Sequence, residues 1–327
     1  MTGFRTIQSF VNPFTLERVH EQICFPKSVF FLAVAPLTVA PASAFDWDYK
    51  GSLGEGKHGH YVPPVSNPFL NETPFITTEV RLLYIYNNFP NNILTPGLGA
   101  LGGGNLVFLG TQFRVAVSDR LGLIVNKFGY ADFNLKVPNR SDDGLINISL
   151  GLKYVLWSDT DQDALVTLGA TYEIPSGTLK SGSVNVLRLQ GDGNGFITPF
   201  VTAVKRYYKF SVQAMLSSKI TLDQDRNASW FNYALHMDYE ILPDFFPLVE
   251  FNGFTPINDP RQNQLKFEGI DLFSIGGADP QPVVTFASGA RYKFDNNVMA
   301  GLVYEVPLTN DKDIIDWRVT ADLVIYY

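Results

Sequence analysis

From Asp316 to Tyr327, alternate positions are apolar: Trp317, Val319, Ala321, Leu323, Ile325 and Tyr327. Between them lie Asp316, Arg318, Thr320 and Asp322. A period of two predicts a strand with one apolar face. The same period recurs upstream. Ile76, Val80, Leu82, Tyr84 and Tyr86 oppose Thr77, Glu79 and Arg81. Val107, Leu109, Phe113, Val115 and Val117 oppose Gln112 and Arg114. Ile146, Ile148, Leu150, Leu152, Tyr154 and Leu156 oppose Asn147, Ser149 and Lys153. Further strands are predicted from Ala164 to Ile174, Phe196 to Arg206, Tyr208 to Ile220 and Trp230 to Ile241. A short one from Pro247 to Phe254 follows, then Val283 to Phe294, Val298 to Val306 and Ile314 to Tyr327. Leu121 to Phe133 alternates less cleanly. The total is about twelve strands, with no amphipathic helix of useful length and no βαβ rhythm.

The connections alternate between short and long. Short ones are Ser118–Arg120, Ser158–Asp163, Tyr207–Tyr208, Pro243–Phe245 and Asp295–Asn297. Long ones are Asn87–Asn105, Asn134–Gly144, Gly177–Gly195, Thr221–Ser229, Thr255–Pro282 and Pro307–Asp313. Tight turns on one rim and long loops on the other describe a transmembrane antiparallel up-and-down β-barrel, with periplasmic turns and external loops. An even strand count puts both ends of the barrel on the periplasmic side. A final strand ending in an aromatic residue, here Tyr327, resembles the closing strand of outer-membrane barrels. It would be the element recognised by the outer-membrane assembly machinery.

The N-terminus is read as an export signal. Ser28 to Ala40 is an apolar run after Lys27, and Ala42-Ser43-Ala44 is a small-x-small cleavage site before Phe45. Residues 1–44 are set aside as a leader with an N-terminal extension. Residues 45–74 are rich in Gly and Pro and predict no regular structure. Yet Phe45, Trp47, Tyr49, Leu53, Tyr61, Val62, Val65, Phe69 and Leu70 make them too apolar for a solvated tail. They are expected to be either an irregular periplasmic lead-in or a plug entering the barrel. Residues 75–327 are the barrel. The one cysteine, Cys24, lies in the leader, so thiol chemistry, disulfides and cysteine metal sites are excluded from the mature chain. The net charge of −7 argues against a nucleic-acid partner. Aromatic residues make up 14 % of the chain, as interfacial girdles require.

The stretch from about Phe75 to Tyr327 resembles the outer-membrane barrels grouped as "meta-pathway of phenol degradation". The residues are Leu121-Gly-Leu-Ile124 after the Ser118–Arg120 turn, Gly151-Leu-Lys-Tyr154, Gly169-Ala-Thr-Tyr-Glu-Ile-Pro-Ser-Gly177, and Tyr292-Lys-Phe-Asp295 leading to Gly301-Leu-Val-Tyr304. The resemblance implies an outer-membrane, Gram-negative-type location. It also implies a porin-like transport role for hydrophobic or aromatic small molecules. It carries no functional residues over.

Chemical motifs are few. Gly97-Leu-Gly99-Ala-Leu-Gly102 matches a dinucleotide fingerprint but lacks the strand before and helix after, so it reads as an external loop. Asp159, Asp161 and Asp163 begin like a calcium loop, but the glycine is missing and Ala170 stands where glutamate is required. His58 and His60 could ligate a metal only with a third ligand. No catalytic, cofactor or metal residues are assigned, and the chain is not expected to be an enzyme. The charged residues on polar faces are the candidate lumen: Glu79, Arg81, Arg114, Lys153, Glu173, His236, Asp238, Glu240, Arg291, Glu305, Arg318 and Asp322. Buried charges must be paired or solvated, so the lumen holds a narrow water path or an ion-pair network. Closure of the barrel should bring Glu79 and Arg81 near Arg318 and Asp322. The expected partners are outer-membrane lipids and a small-molecule solute. Two alternatives stand beside the channel. One is a lipid hydrolase using His236 with a serine such as Ser211 or Ser217; the other is a non-transporting structural or adhesion barrel.

Overall fold

The computed structural model describes residues 48–327 apart from 92, 96–98, 138, 182–186, 259–267, 274, 276, 278–280 and 296. The predicted leader with Cys24, residues 45–47 and Gly97 lie outside the described residues. No helix among the described residues is long and apolar enough to cross a membrane.

Twelve antiparallel strands close on themselves. They are β1 Glu79–Asn88, β2 Gly99–Ala116, β3 in two segments (Leu121–Lys127 and Gly129–Val137) and β4 in two segments (Arg140–Leu145 and Ile148–Asp159). Then come β5 Ala164–Ile174, β6 Phe196–Tyr207, β7 Phe210–Thr221 and β8 Ser229–Tyr239. The set ends with β9 Phe245–Asn258, β10 Val283–Lys293, β11 Val298–Pro307 and β12 Trp317–Tyr326. Each pairs with its sequence neighbours, and β1 pairs with both β2 and β12, so no edge remains. Closure satisfies every strand's hydrogen bonds where no water is available. The closing register sets Glu79 against Tyr326, Leu83 against Asp322 and Asn87 against Arg318.

The period-2 pattern decides facing. On β12, Arg318, Thr320, Asp322, Val324 and Tyr326 are buried, and the residues between them face out. Leu109, Leu123, Leu150, Leu152, Leu168, Leu216 and Leu302 form part of an exposed apolar belt. Aromatic residues flank it. Tyr86, Trp317 and Tyr304 stack at the long-loop rim, with ring centroids 5.2 and 5.9 Å apart. Trp157, Tyr207, Tyr208, Tyr292 and Phe294 are exposed at the tight-turn rim.

Several strand limits differ from the sequence reading. The first strand begins at Glu79, not Ile76. Ile76 is fully buried and belongs to the chain inside the barrel. Asn134 to Gly144 is not a loop: the two strands continue past the apolar belt, pairing Tyr130 with Leu145 and Leu135 with Arg140. Ala131 and Phe133 still turn into the lumen, but Pro138 and the polar run Asn139 to Gly144 have the composition of a turn, which hides the ladder. The predicted external glycine loop is strand from Gly99 onward. There Gly104 has φ +106°, and a Cβ would lie 2.0 Å from the Asn134 carbonyl oxygen. That close approach of two strands admits only glycine. The ninth strand runs the full Phe245–Asn258 rather than Pro247 to Phe254. Ile314 and Ile315 precede β12 and are buried.

Candidate functional site: the filled lumen

Residues 60–78 run inside the barrel. The proof is in their partners, which come from strands on all sides. Proline has no N–H, so a proline-rich stretch offers bare carbonyls and cannot pair as an inner strand. Wall side chains supply the missing donors. Arg81 Nη2 donates to Pro64 O (2.7 Å), and Arg291 Nε and Nη2 donate to Pro63 O (2.5 Å) and Pro64 O (3.0 Å). Gln112 donates to Pro68 O (2.7 Å), Thr167 Oγ1 to Pro74 O (2.6 Å), and Gln213 to Val62 O (2.6 Å). The amides of Val65 and Ser66 donate to the two oxygens of Glu250 (2.8 and 2.6 Å).

Charge is anchored in the same way. Glu72, inside the barrel, accepts from Arg114 Nε and Nη2 (2.7 Å each) and from Lys153 Nζ (2.7 Å). Arg114 also reaches Glu79 (2.8 Å), which accepts from the Tyr61 hydroxyl (2.5 Å). Asp322 bridges Arg81 (2.5 Å) and Arg291 (2.7 Å). Gly301 lies beneath this bridge: a Cβ there would come within 2.7 Å of Asp322 Oδ1 and 2.9 Å of Val65 Cγ2.

Eleven of the twelve candidate residues are buried on the inner wall: Glu79, Arg81, Arg114, Lys153, Glu173, His236, Asp238, Arg291, Glu305, Arg318 and Asp322. The closing strands do bring Arg81 to Asp322, while Arg318 pairs with Asp271 instead, both bonds at 3.0 Å. Glu240 is the exception. It lies beyond the end of β8, is partly exposed, and pairs with Arg206 at 3.3 Å on the tight-turn rim. Charged members of the described interior that the polar-face reading did not include are Lys127, Lys219, Glu72, Asp271, Glu268 and Asp313. Lys127 and Lys219 approach Glu173 at 2.9 and 4.0 Å. Lys127 sits beside the break in β3, where alternation fails. Strict alternation along β7 from Ser211 and Gln213 would have pointed to Lys219. Glu250, on the polar face of the strand read from Pro247 to Phe254, is fully buried as that face requires. Glu72 and Asp271 come from irregular segments, which carry no period to read.

His236 is held by Glu250 Oε1 at 2.7 Å and Asp238 Oδ2 at 3.2 Å. Both ring nitrogens are committed to carboxylates, so neither can accept a serine proton. Ser217 hydrogen-bonds Asn232, and Ser211 sits opposite Asp238 in register without touching His236. The alternative hydrolase at His236 therefore finds no nucleophile among the described residues. His58 and His60 diverge. His60 meets Asp238 at 3.1 Å, while His58 points to the rim. No metal-ligating cluster exists among the described residues.

A large apolar cluster lies in the half of the lumen nearer the long loops. Phe69 from the inner segment packs on Phe108 (5.3 Å between ring centroids). Phe133 joins Phe89 and Phe273 at 5.3 and 5.5 Å. Leu83, Ile85, Leu106, Trp230, Phe254 and Ile314 complete the cluster. Residues 268–273 fold inward over it. Ile270, Leu272 and Phe273 are buried there, and Asp271 ties the loop to Arg318. Asp313 caps the same loop, accepting from the amides of Glu268 and Gly269 at 2.9 Å each. The filled lumen thus joins a charged, segment-filled inner half to a loop-covered outer half in which an apolar cluster sits among the further ion pairs Lys127–Glu173 and Arg318–Asp271.

The closed barrel, its exposed apolar belt and its two aromatic girdles make this an outer-membrane protein. No protein-family model matches the chain, and no curated protein matches it either. Among solved structures it is similar to the COG4313 outer membrane channel from Pseudomonas putida F1. The TM-score is 0.54 at 12 % identity, over 82 % of this chain and 100 % of that one. It is less similar to the NanC porin (TM-score 0.45, 11 % identity, 76 % of this chain and 99 % of that one). The TodX monoaromatic hydrocarbon channel gives a TM-score of 0.41 at 12 % identity, over 81 % and 92 %. At these identities the likeness is one of fold.

Proposed function

We propose that the chain is a channel for small hydrophobic or aromatic molecules, of the "meta-pathway of phenol degradation" type. The observation that carries this reading is the apolar cluster in the outer half of the lumen. Phe108, Phe133, Trp230 and Phe254, packed there behind the long loops, would offer apolar contacts to a solute that leaves water readily. The ionic layer beneath it, closed by residues 60–74, opposes passage of ions. The fold neighbour from Pseudomonas putida, described as an outer membrane channel, supports the channel class. Six of the buried candidates, Glu79, Arg81, Arg114, Lys153, Asp238 and Arg291, act here as the clasp that holds the plug. Residues 1–44 act as the export leader.

The test is flux. Liposomes carrying the refolded protein should take up a monoaromatic solute faster than empty liposomes while passing little ionic current. Solute entry should also quench the buried Trp230. Equal uptake by protein-containing and empty liposomes would overturn the reading.

A further inference from the structure

At the tight-turn rim, at the other end of the barrel from the apolar cluster, three side chains line up. The Ser158 hydroxyl lies 3.0 Å from His58 Nε2, and His58 Nδ1 lies 2.9 Å from Asp163 Oδ1. We propose that Ser158, His58 and Asp163 form a nucleophilic site that takes the acyl group of a carboxylic ester presented at the membrane boundary.

The backbone places each of the three. The register of β4 against β5 shifts between Val155 and Trp157. Before the shift, Ser149, Lys153 and Val155 point inward; continued alternation would turn Trp157 in and Ser158 out to lipid. The extra residue reverses this. Trp157 stays exposed at the girdle, and Ser158 is brought to His58. Bulges that re-aim a side chain recur beside active sites. Asp163 closes the turn at φ +46°, a left-handed conformation disfavoured for a non-glycine residue. His58 is buried, so its ring is fixed between the two. Ser158 is solvent-exposed and opens onto a cleft of about 300 Å³ lined also by Lys57, Asp119, Arg120 and Thr160.

The order of the contacts is that of a nucleophile, a base and an orienting carboxylate. Nδ1–H donates to Asp163, which leaves the Nε2 lone pair facing the serine hydroxyl. The hydrogen bond from His58, helped by Arg206, holds the Asp163 carboxyl below the ordinary aspartate range, so it is ionised as the role requires. Ser158 Oγ attacks the ester carbonyl as its proton passes to Nε2. The alcohol leaves with that proton, forming an acyl-serine, and water, deprotonated by the same nitrogen, releases the acid. The Lys57 ammonium is held by Asp48 and the Gly51 carbonyl, whereas Arg120 makes no ion pair among the described residues. Arg120, which lines the same cleft, is the cation available to the developing oxyanion. Leu156 and Trp157, both lipid-facing next to Ser158, favour esters that partition into the membrane.

The experiment uses the full chain in detergent micelles, treated with a fluorescent fluorophosphonate and mapped by peptide mass spectrometry. Wild type should carry the label on Ser158. Ser158→Ala should abolish it, and His58→Gln and Asp163→Asn should slow it at least roughly tenfold. Hydrolysis of p-nitrophenyl butyrate should fall in parallel. Because Ser158 is exposed, Ser158→Ala should keep the heat-modifiable folded band. An unlabelled Ser158 in folded wild type, or His58→Gln labelled at the wild-type rate, would reduce the contact to a clamp and overturn the proposal.

Discussion

Glu72→Ala should release the inner segment while leaving the barrel closed. Glu72 accepts three charge-assisted hydrogen bonds, two from Arg114 and one from Lys153. Without it Arg114 keeps Glu79, but Lys153 retains only the Thr73 carbonyl at 2.9 Å. A buried cation stripped of its counter-charge costs roughly 3–5 kcal/mol. The β-ladder does not share this cost, because Lys153 lies in strand pairing with Gly122 and Gly169 that does not involve Glu72. The loss therefore falls on docking of the segment. At about 1.4 kcal/mol per tenfold, the undocked fraction should rise roughly a hundred- to several-thousand-fold. Two measurements read this. Amide exchange at Val65 and Ser66, whose N–H groups donate to Glu250, should accelerate. Ion conductance in planar bilayers should rise, with Glu72→Gln intermediate because it keeps an acceptor and loses the charge. Unchanged exchange and unchanged conductance in a folded Glu72→Ala barrel would refute the argument.

Other perturbations probe separate layers. Gly301→Val should weaken docking by roughly 1–3 kcal/mol, because its side chain enters the space of Asp322, Arg291 and Val65; unaltered protease resistance around residues 60–66 would count against it. Leu150→Arg, on the lipid face, should cost roughly 2–4 kcal/mol in a refolding titration, and a cost near zero would mean the residue does not face lipid. Asp313 lies in the loop before β12, where burial, with Asp311 adding, pushes its pKa up to about 7 from 3.8. A folded pKa above the unfolded one gives loop stability that is full below about pH 4 and lost as pH rises through about 7, a span worth roughly 4 kcal/mol at most. Exchange at the Glu268 and Gly269 amides, corrected for base catalysis, should therefore lose protection between about pH 5 and pH 8, and a flat profile would contradict this.

The chain's alternation of apolar and polar positions was enough to read the barrel, the strand count, the facing of Leu150 or Arg318, and the alternation of tight turns with loops. The reason is local: in lipid each strand must show apolar atoms on one side, and period 2 records that directly. The strand extension that pairs Asn134 with Ser141 and Leu135 with Arg140 escaped because its sequence, with Pro138 and the polar run Asn139 to Gly144, has the composition of a turn. Only the tertiary structure decided what fills the lumen. Glu72 and Asp271 lie on segments without periodicity, and their partners Arg114, Lys153 and Arg318 stand 42, 81 and 47 residues away in sequence. The meeting of His58 with Ser158 spans 100 residues and depends on a one-residue shift in register. Such contacts follow from where a closed wall brings side chains together, and no local pattern encodes that.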